Sequence, residues 1–452
     1  MAEHQNQPIA ALATAWGSSA IAVIRTSGPG SIELIDRLFE PPGRLATAGG
    51  NTVHHGILLE PRTRAQLDEV LVSIFRAPRS YTGEDAAEIM CHGSTAGVER
   101  ILAALFAAGF RQAEPGEFTM RAFLAGKLDL TRAEAVREIV GARTAESHAM
   151  ALQRLSGALE ERINAIKGRL VTLLAAVDIQ LDYPEEESGE VVIAPEVVIE
   201  IRDSIRGLLA SYRTGRIYQE GVRVAIAGPS NAGKSSLFNE LLRQDRSIVS
   251  AIAGTTRDYI ESPIAVAGVP VRLYDTAGFR ESNEQIESEG MRRSREILDA
   301  AELVLYVVDA TEGVAPHQRE VIEALRDSGR LVGVWNKVDL PGAADAPAGF
   351  AAVSVATGGG LERLVEIIGE RILPDSLAWT GEPVIDSLRQ KQLLETAHQA
   401  LGHVLEGLAD QVPVDAVALD AEEALRALGE ITGEVTTADV LDAMFSGFCV
   451  GK

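Results

Sequence analysis

The run "GPSNAGKS", Gly228 to Ser235, limits the possible architecture of the chain more tightly than any other stretch. It fits G-x-x-x-x-G-K-S, follows the apolar run "VRVAIA" and precedes "SLFNELL", which has helical spacing. A strand that turns through such a loop into a helix opens a doubly wound α/β unit, with the helix N-terminus facing bound phosphate. Alternating strand and helix patterns continue from "GVRVAIAG" to about residue 378, the size of one domain. Gly233 lets the backbone approach closely, Lys234 is placed for the β and γ phosphates, and the Ser235 hydroxyl for Mg²⁺. A Gly-rich turn without a ligand is the weaker reading, because strand and helix stand on the correct sides of it.

The 452 residues exceed one ordinary core and give a prior of about three domains. Residues 1–122 mix β-branched runs ("IAVIRTS", "EVLVSIF") with Gly and Pro punctuation and one Ala-rich helical stretch, which reads as α+β. Residues 123–219 carry apolar positions three and four apart, as long amphipathic helices do, and so do residues 380–452. Each helical stretch alone would leave an apolar stripe without a partner, so the two are expected to form one discontinuous helical domain. The α/β unit, residues 220–379, is inserted between them.

Composition narrows the function. The chain is 46% hydrophobic and 24% charged, as folded soluble proteins are, and no apolar run approaches the roughly 20 residues of a spanning helix. A cytoplasmic location is expected, peripheral to a membrane at most. Two cysteines, Cys91 and Cys449, make neither a disulfide framework nor a metal-ligand spacing. A net charge of −23 argues against a broad nucleic-acid surface, which needs clustered Lys and Arg.

Three further elements follow the phosphate loop in order. Asp275 of "DTAG" ends the β-like run "VPVRLY", near where Mg²⁺ would lie, and Gly278 can offer its N–H to a γ-phosphate. "LVGVWNKVD" ends in Asn336, Lys337 and Asp339, and a carboxylate there can accept both the N1–H and the exocyclic amine of guanine, which adenine does not present. "SVATG" follows, with Val355 and Ala356 where most GTPases carry Ala and Lys. Between the phosphate loop and "DTAG" lies "SIVSAIAGTTRD", whose Thr256 is the expected switch threonine on Mg²⁺. GTP would thus be held by Asn231, Ala232, Gly233, Lys234, Ser235 and Ser236; by Gly254, Thr255 and Thr256; by Asp275, Thr276, Ala277 and Gly278; and by Asn336, Lys337, Asp339, Ser354, Val355 and Ala356. Lys234 and Thr256 are the expected catalytic contributors among them. One piece is missing: Phe279 follows "DTAG" where Ras-type enzymes carry a water-orienting glutamine.

With "NAGKSS", "AGTTRD", "DTAGFR" and the terminal "FCVGK" together, the chain resembles the MnmE (TrmE) family of tRNA-modification GTPases over nearly its whole length. "YTGEDAAEIMCHG", "PGEFTMRAFLAGKLDLTRAEAV" and "ITGE" are similar to stretches of that family as well. The resemblance implies an N-terminal α+β domain that binds 5,10-methylene- or 5-formyl-tetrahydrofolate and dimerises, a helical domain, and an inserted Ras-like G domain. It implies GTP hydrolysis that depends on K⁺ and on G-domain dimerisation, with a cation doing the work of an arginine finger. Asn231 matches the cation ligand, with oxygens of Ser250, Ile252 and Thr255 completing the shell; Ser250 stands where Thr is usual in the family, and the resemblance also implies that Ser250, Ala251, Ile252 and Ala253 lie against GTP. Glu287 matches the family's water-positioning glutamate, although spacing alone reads it as one solvated charge among Glu281, Glu284 and Glu289. The folate contacts map onto Arg25, Glu88 and Lys127, each of which alone would pass for a surface charge. The tail would lie near that site, so that Cys449 and Lys452 line it. A lone cysteine is ordinarily a small buried hydrophobe, and a nucleophilic Cys449 is the minority reading.

The implied partner is an FAD flavoprotein of the MnmG (GidA) type, in a heterotetramer or larger complex with this homodimer. Together they would place a carboxymethylaminomethyl or aminomethyl group on C5 of the wobble uridine, position 34, of tRNA, with the flavoprotein supplying most tRNA contacts. A ribosome-assembly or RNA-binding switch GTPase is the alternative, but such proteins usually append a basic domain and this chain shows none. A membrane-associated transport GTPase would need an apolar or amphipathic anchor, which is also missing.

Overall fold

The computed structural model describes residues 7–182, 194–245, 261–275 and 296–452. Their contacts divide the chain into two compact units, one of residues 1–140, 153–203 and 393–452, the other of residues 141–152 and 204–392.

The first unit contains a seven-stranded sheet. Its strands are β1 (Ile9–Leu12), β2 (Ser19–Ser27), β3 (Phe39–Glu40), β4 (Thr52–Leu59), β5 (Gln66–Phe75), β6 (Ala86–Gly93) and β7 (Arg111–Gln112). They stand in the order β3-β4-β5-β6-β2-β1-β7, antiparallel except for the β1–β7 pair. Alternation puts Ala22, Ile24, Val70, Val72, Ile74, Ile89 and Cys91 on one face, where they pack with Val98, Ile101, Ala104 and Leu105 of the helix Thr95–Ala107. That helix starts at Ser94, whose hydroxyl accepts the Gly97 N–H at 3.1 Å. The opposite face leaves Ile21, Val53 and Leu71 exposed. Register places Arg25 directly across from Glu88 on this second face.

Long helices complete the unit. Val414–Thr432 packs along Ala158–Asp182, so the two helical stretches meet although more than two hundred residues separate them in sequence. Ala418, Ala421, Ala424 and Ala427 are buried at three-residue intervals, a small-residue stripe that permits close approach. Beside the sheet, the buried Glu117 carboxylate accepts from Arg111 at 2.5 Å and from Arg121 at 2.8 Å, and Arg121 bonds Glu84 at 3.0 Å.

In the second unit, β8 (Val222–Ala227), β9 (Glu261–Val266), β10 (Val269–Asp275), β11 (Leu303–Asp309), β12 (Leu331–Asn336) and β13 (Phe350–Ala352) form a sheet in the order β13-β12-β11-β8-β10-β9. All pairs are parallel except the β9–β10 hairpin. β11 and β12 are buried at every position, as interior parallel strands covered on both faces are, so they read as unbroken apolar runs. With β8 lying between β10 and β11, the parallel strands carry the carboxyl ends of β8, β10, β11 and β12 to one edge, where ligands of open α/β sheets bind. No helix among the described residues is long and apolar enough to cross a membrane.

Burial works to raise the Glu117 carboxyl, but Arg111, the Glu114 N–H and Arg121 outweigh it and hold it below its ordinary value. The group therefore contributes stability above the unfolded carboxylate range, lost as pH falls through the lower folded value. Glu117→Gln leaves two guanidinium groups short of a buried anion and is expected to cost about 3 kcal/mol or more in denaturant unfolding at neutral pH. A loss below about 0.5 kcal/mol would contradict this role.

Candidate nucleotide and tail sites

The phosphate loop leaves β8 through Gly228, φ 139°, passes Asn231 at φ 63° and Gly233 at φ 96°, and enters the helix Lys234–Asp245. A Cβ on Gly233 would stand 2.2 Å from Asn336 Nδ2, so this position must be glycine for the loop to close against the guanine loop. Lys234 is buried, and its ammonium donates to the Pro229 carbonyl at 2.6 Å, inside the curve of the loop. Ser235 and Ser236 are exposed at the first turn of the helix. A positive charge held within a loop of left-handed residues at a helix N-terminus fits a polyphosphate, with Ser235 available to Mg²⁺.

Asn336 ends β12 and is buried. Its Nδ2 donates to the Ala232 carbonyl at 2.8 Å, and its Oδ1 accepts the Val355 N–H at 3.3 Å. One carboxamide thus joins the phosphate loop, the guanine loop and the "SVATG" loop. Ser354 is buried at the start of that last loop, where its carbonyl accepts the Gly358 N–H at 2.9 Å and its hydroxyl accepts the Thr357 N–H at 3.2 Å. Ala356 and Asp339 are exposed, as a base-reading position requires. Asp275, at the end of β10, is buried opposite Ile226 of β8.

Asp309, which motif spacing passed over, ends β11 across from Asn336 and bonds the Lys337 ammonium at 2.6 Å. Burial alone would raise its carboxyl, but Lys337 and the hydroxyl and N–H of Thr311 outweigh burial and hold it below the usual carboxylate range. Its only sequence signal is a carboxylate closing the apolar run "LVLYVVD". Ser250, Ala251, Ile252, Ala253, Gly254, Thr255, Thr256, Thr276, Ala277, Gly278, Phe279 and Glu287 lie outside the described residues.

A second constellation lies in the first unit. Arg25 pairs with Glu88 at 2.9 Å and 3.0 Å, and its guanidinium lies 5.7 Å from the Tyr81 ring centroid and 5.8 Å from that of Phe118. These four residues, with Phe75 and Thr82, line a cavity of about 70 Å³. The C-terminal "FCVGK" run docks beside it: Val450 bridges Pro115, the Gly116 N–H donates to the Cys449 carbonyl at 3.3 Å, and the Phe118 N–H to the Lys452 carbonyl at 3.2 Å. Arg25 donates to the Gly451 carbonyl at 3.2 Å. Gly451, φ 92°, lies so close to the Leu12 carbonyl that a Cβ would come within 2.3 Å of it. Burial, helped by Arg25, lowers the Lys452 ammonium, with Cys449 and Glu88 acting the other way. Cys449 is exposed, whereas Cys91 is buried and its thiol is pushed up to about 11. Lys127 is not part of the cavity lining; its ammonium bonds the Pro78 carbonyl at 2.5 Å. A carboxylate and guanidinium beside aromatic rings fit the donor–acceptor edge and π face of a pterin.

Two family models account for the chain: "GTP-binding protein TrmE N-terminus" over residues 8–127 and "MnmE helical domain" over residues 130–449. The chain belongs to the MnmE family. It is 41% identical over 455 residues to the tRNA modification GTPase MnmE of Borrelia recurrentis (strain A1), covering 98% of each chain. It is 41% identical over 462 residues to that of Carboxydothermus hydrogenoformans, covering 98% of this chain and 99% of the relative. A solved structure, the G domain of the T. maritima FeoB iron transporter, aligns with 33% of this chain and 98% of its own length at 27% identity and a TM-score of 0.24.

In this MnmE family member, Asn336→Ala removes two bonds, each worth about 1 to 1.5 kcal/mol. Affinity for GTP and GDP is expected to fall together by roughly 30- to 100-fold, measured by calorimetry. Affinity within about twofold of wild type would show that the three loops hold without it.

Proposed function

We propose that this chain is a K⁺-dependent GTPase working in the cytoplasm as a homodimer, with an FAD flavoprotein of the MnmG (GidA) type, in a heterotetramer or larger complex. The complex adds a carboxymethylaminomethyl or aminomethyl group to C5 of the wobble uridine, position 34, of certain tRNAs. The observation that carries this reading is that one chain holds both a set of guanine-nucleotide loops tied through Asn336 and a family-specific tail seated against Arg25. When bound, 5,10-methylene- or 5-formyl-tetrahydrofolate supplies the one-carbon unit, and Mg²⁺ and K⁺ supply positive charge against phosphate oxygens.

The chain's own groups divide the remaining work. Lys234 neutralises the β and γ phosphates, Ser235 and Thr256 are the Mg²⁺ ligands, and Asn231 with oxygens of Ser250, Ile252 and Thr255 holds K⁺. Glu287 orients the attacking water in place of the glutamine that Phe279 displaces. Glu88 accepts from the pterin edge, while Arg25, Lys127 and Lys452 suit the anionic folate tail. Cys449, exposed beside this site, stands as a candidate nucleophile. The exposed Ile21, Val53 and Leu71 share the sheet face of Arg25 and Glu88, and dimerisation through the first domain would cover them. GTP hydrolysis, activated when G domains dimerise, drives a closing and opening that the helical domain transmits to the modification chemistry.

GTP turnover by the full chain is expected to be at least about tenfold faster in K⁺ than in Na⁺, with Asn231→Ala removing the difference. Glu287→Ala should keep nucleotide affinity and lose about 100-fold in turnover. Equal rates in the two salts would refute the cation reading. A 5-formyl-tetrahydrofolate-induced thermal shift that survives Glu88→Ala undiminished would refute the folate assignment.

A further inference from the structure

Lys337 stands at φ 67°, a left-handed conformation that residues with side chains seldom adopt. It opens the turn closed by the Leu340 N–H on the Lys337 carbonyl at 3.1 Å, and Asp339 lies exposed within that turn. The backbone cost of this conformation is offset from outside the turn. The Lys337 ammonium is held at 2.6 Å by Asp309 Oδ2, while Asp309 Oδ1 accepts the Thr311 N–H at 2.9 Å and its hydroxyl at 2.7 Å. Asp309 is buried and faces Asn336 in parallel register, and the Ala310 N–H donates to the Asn336 carbonyl at 2.8 Å. The far side of the loop is fixed to the same strand end, because the Ala344 N–H donates to the Ala310 carbonyl at 2.9 Å. A flexible four-carbon ammonium side chain is thereby locked at both ends, and a charge-assisted bond to a rigid carboxylate does the locking.

We infer that Asp309 is a positioning residue for guanine-nucleotide recognition: through Lys337 it holds the turn that presents Asp339 to the base, without itself touching the nucleotide. This rests on the nucleotide reading above and assigns a specificity role that its motifs leave unassigned. The effect belongs to binding rather than to chemistry, since a preorganised turn is needed equally by GTP and GDP.

The test uses the full chain with GTP and GDP as probes, in calorimetry and steady-state turnover, with thermal denaturation in the absence of nucleotide. Asp309→Asn keeps the shape and removes the charge. It is expected to weaken GTP and GDP alike by about tenfold, to raise KM by the same factor, and to lower kcat less than about threefold. Lys337→Met, which removes a proposed nucleotide contact as well as the partner of Asp309, should lose at least as much, and the double variant should bind no worse than Lys337→Met alone, because Asp309 acts only through Lys337. Asp309→Glu, which restores the charge on a longer arm, should recover part of the affinity. A folded Asp309→Asn protein with affinity within about twofold of wild type, or losses that multiply in the double variant, would overturn the inference. Should Asp309→Asn not fold, Thr311→Val decides: roughly threefold weaker binding is expected, and unchanged binding overturns it. Wild-type protein that takes up no guanine nucleotide would instead remove the nucleotide reading itself.

Discussion

A single carboxamide, that of Asn336, holds the nucleotide site together. Its two bonds reach the phosphate loop on one side and the "SVATG" loop on the other, from a buried position at the end of β12. Buried polar groups of this kind are stabilising only when fully matched, and here both ends are. The parallel sheet makes the match possible by delivering the ends of β8, β11 and β12 to one edge. Gly233 then becomes obligatory, because any Cβ would occupy the space of the Asn336 amide.

The first unit solves a different problem with the same economy. The sheet buries one face against a helix; on the other, which leaves Ile21, Val53 and Leu71 exposed, Arg25 and Glu88 stand in register beneath Tyr81, Phe118 and the C-terminal run. The "FCVGK" run is fitted to the same place by main-chain bonds at Gly116 and Phe118, and by Arg25 at the Gly451 carbonyl. Gly451 is the residue that permits this, since its left-handed φ and its approach to Leu12 both exclude a side chain. The tail's composition is thus explained by docking geometry: small and flexible where it passes the sheet, cationic where it ends near Glu88.

Local signals and long-range ones were unequally legible in the sequence. The phosphate loop was readable because its glycines, lysine and flanking strand and helix are adjacent in sequence and each answers a backbone requirement. β12 was readable as a strand because interior parallel strands are apolar throughout. The meeting of Arg25 with Gly451 was legible only through family resemblance, since it joins residues 426 positions apart and depends on sheet order rather than periodicity. Asp309 escaped motif reading altogether, because a carboxylate at a strand end has no spacing signature and gains its meaning from the parallel register with Asn336.

The guanine loops and the tail-docked sheet of this chain are proposed to serve one reaction on tRNA. Mass spectrometry of bulk tRNA from a strain lacking the chain, complemented by the wild type or by Asn336→Ala, decides whether they do. Loss of the C5-modified wobble uridine is expected in the deletion, with recovery by the wild type and little recovery by Asn336→Ala. An unchanged wobble uridine in the deletion strain would contradict that shared role.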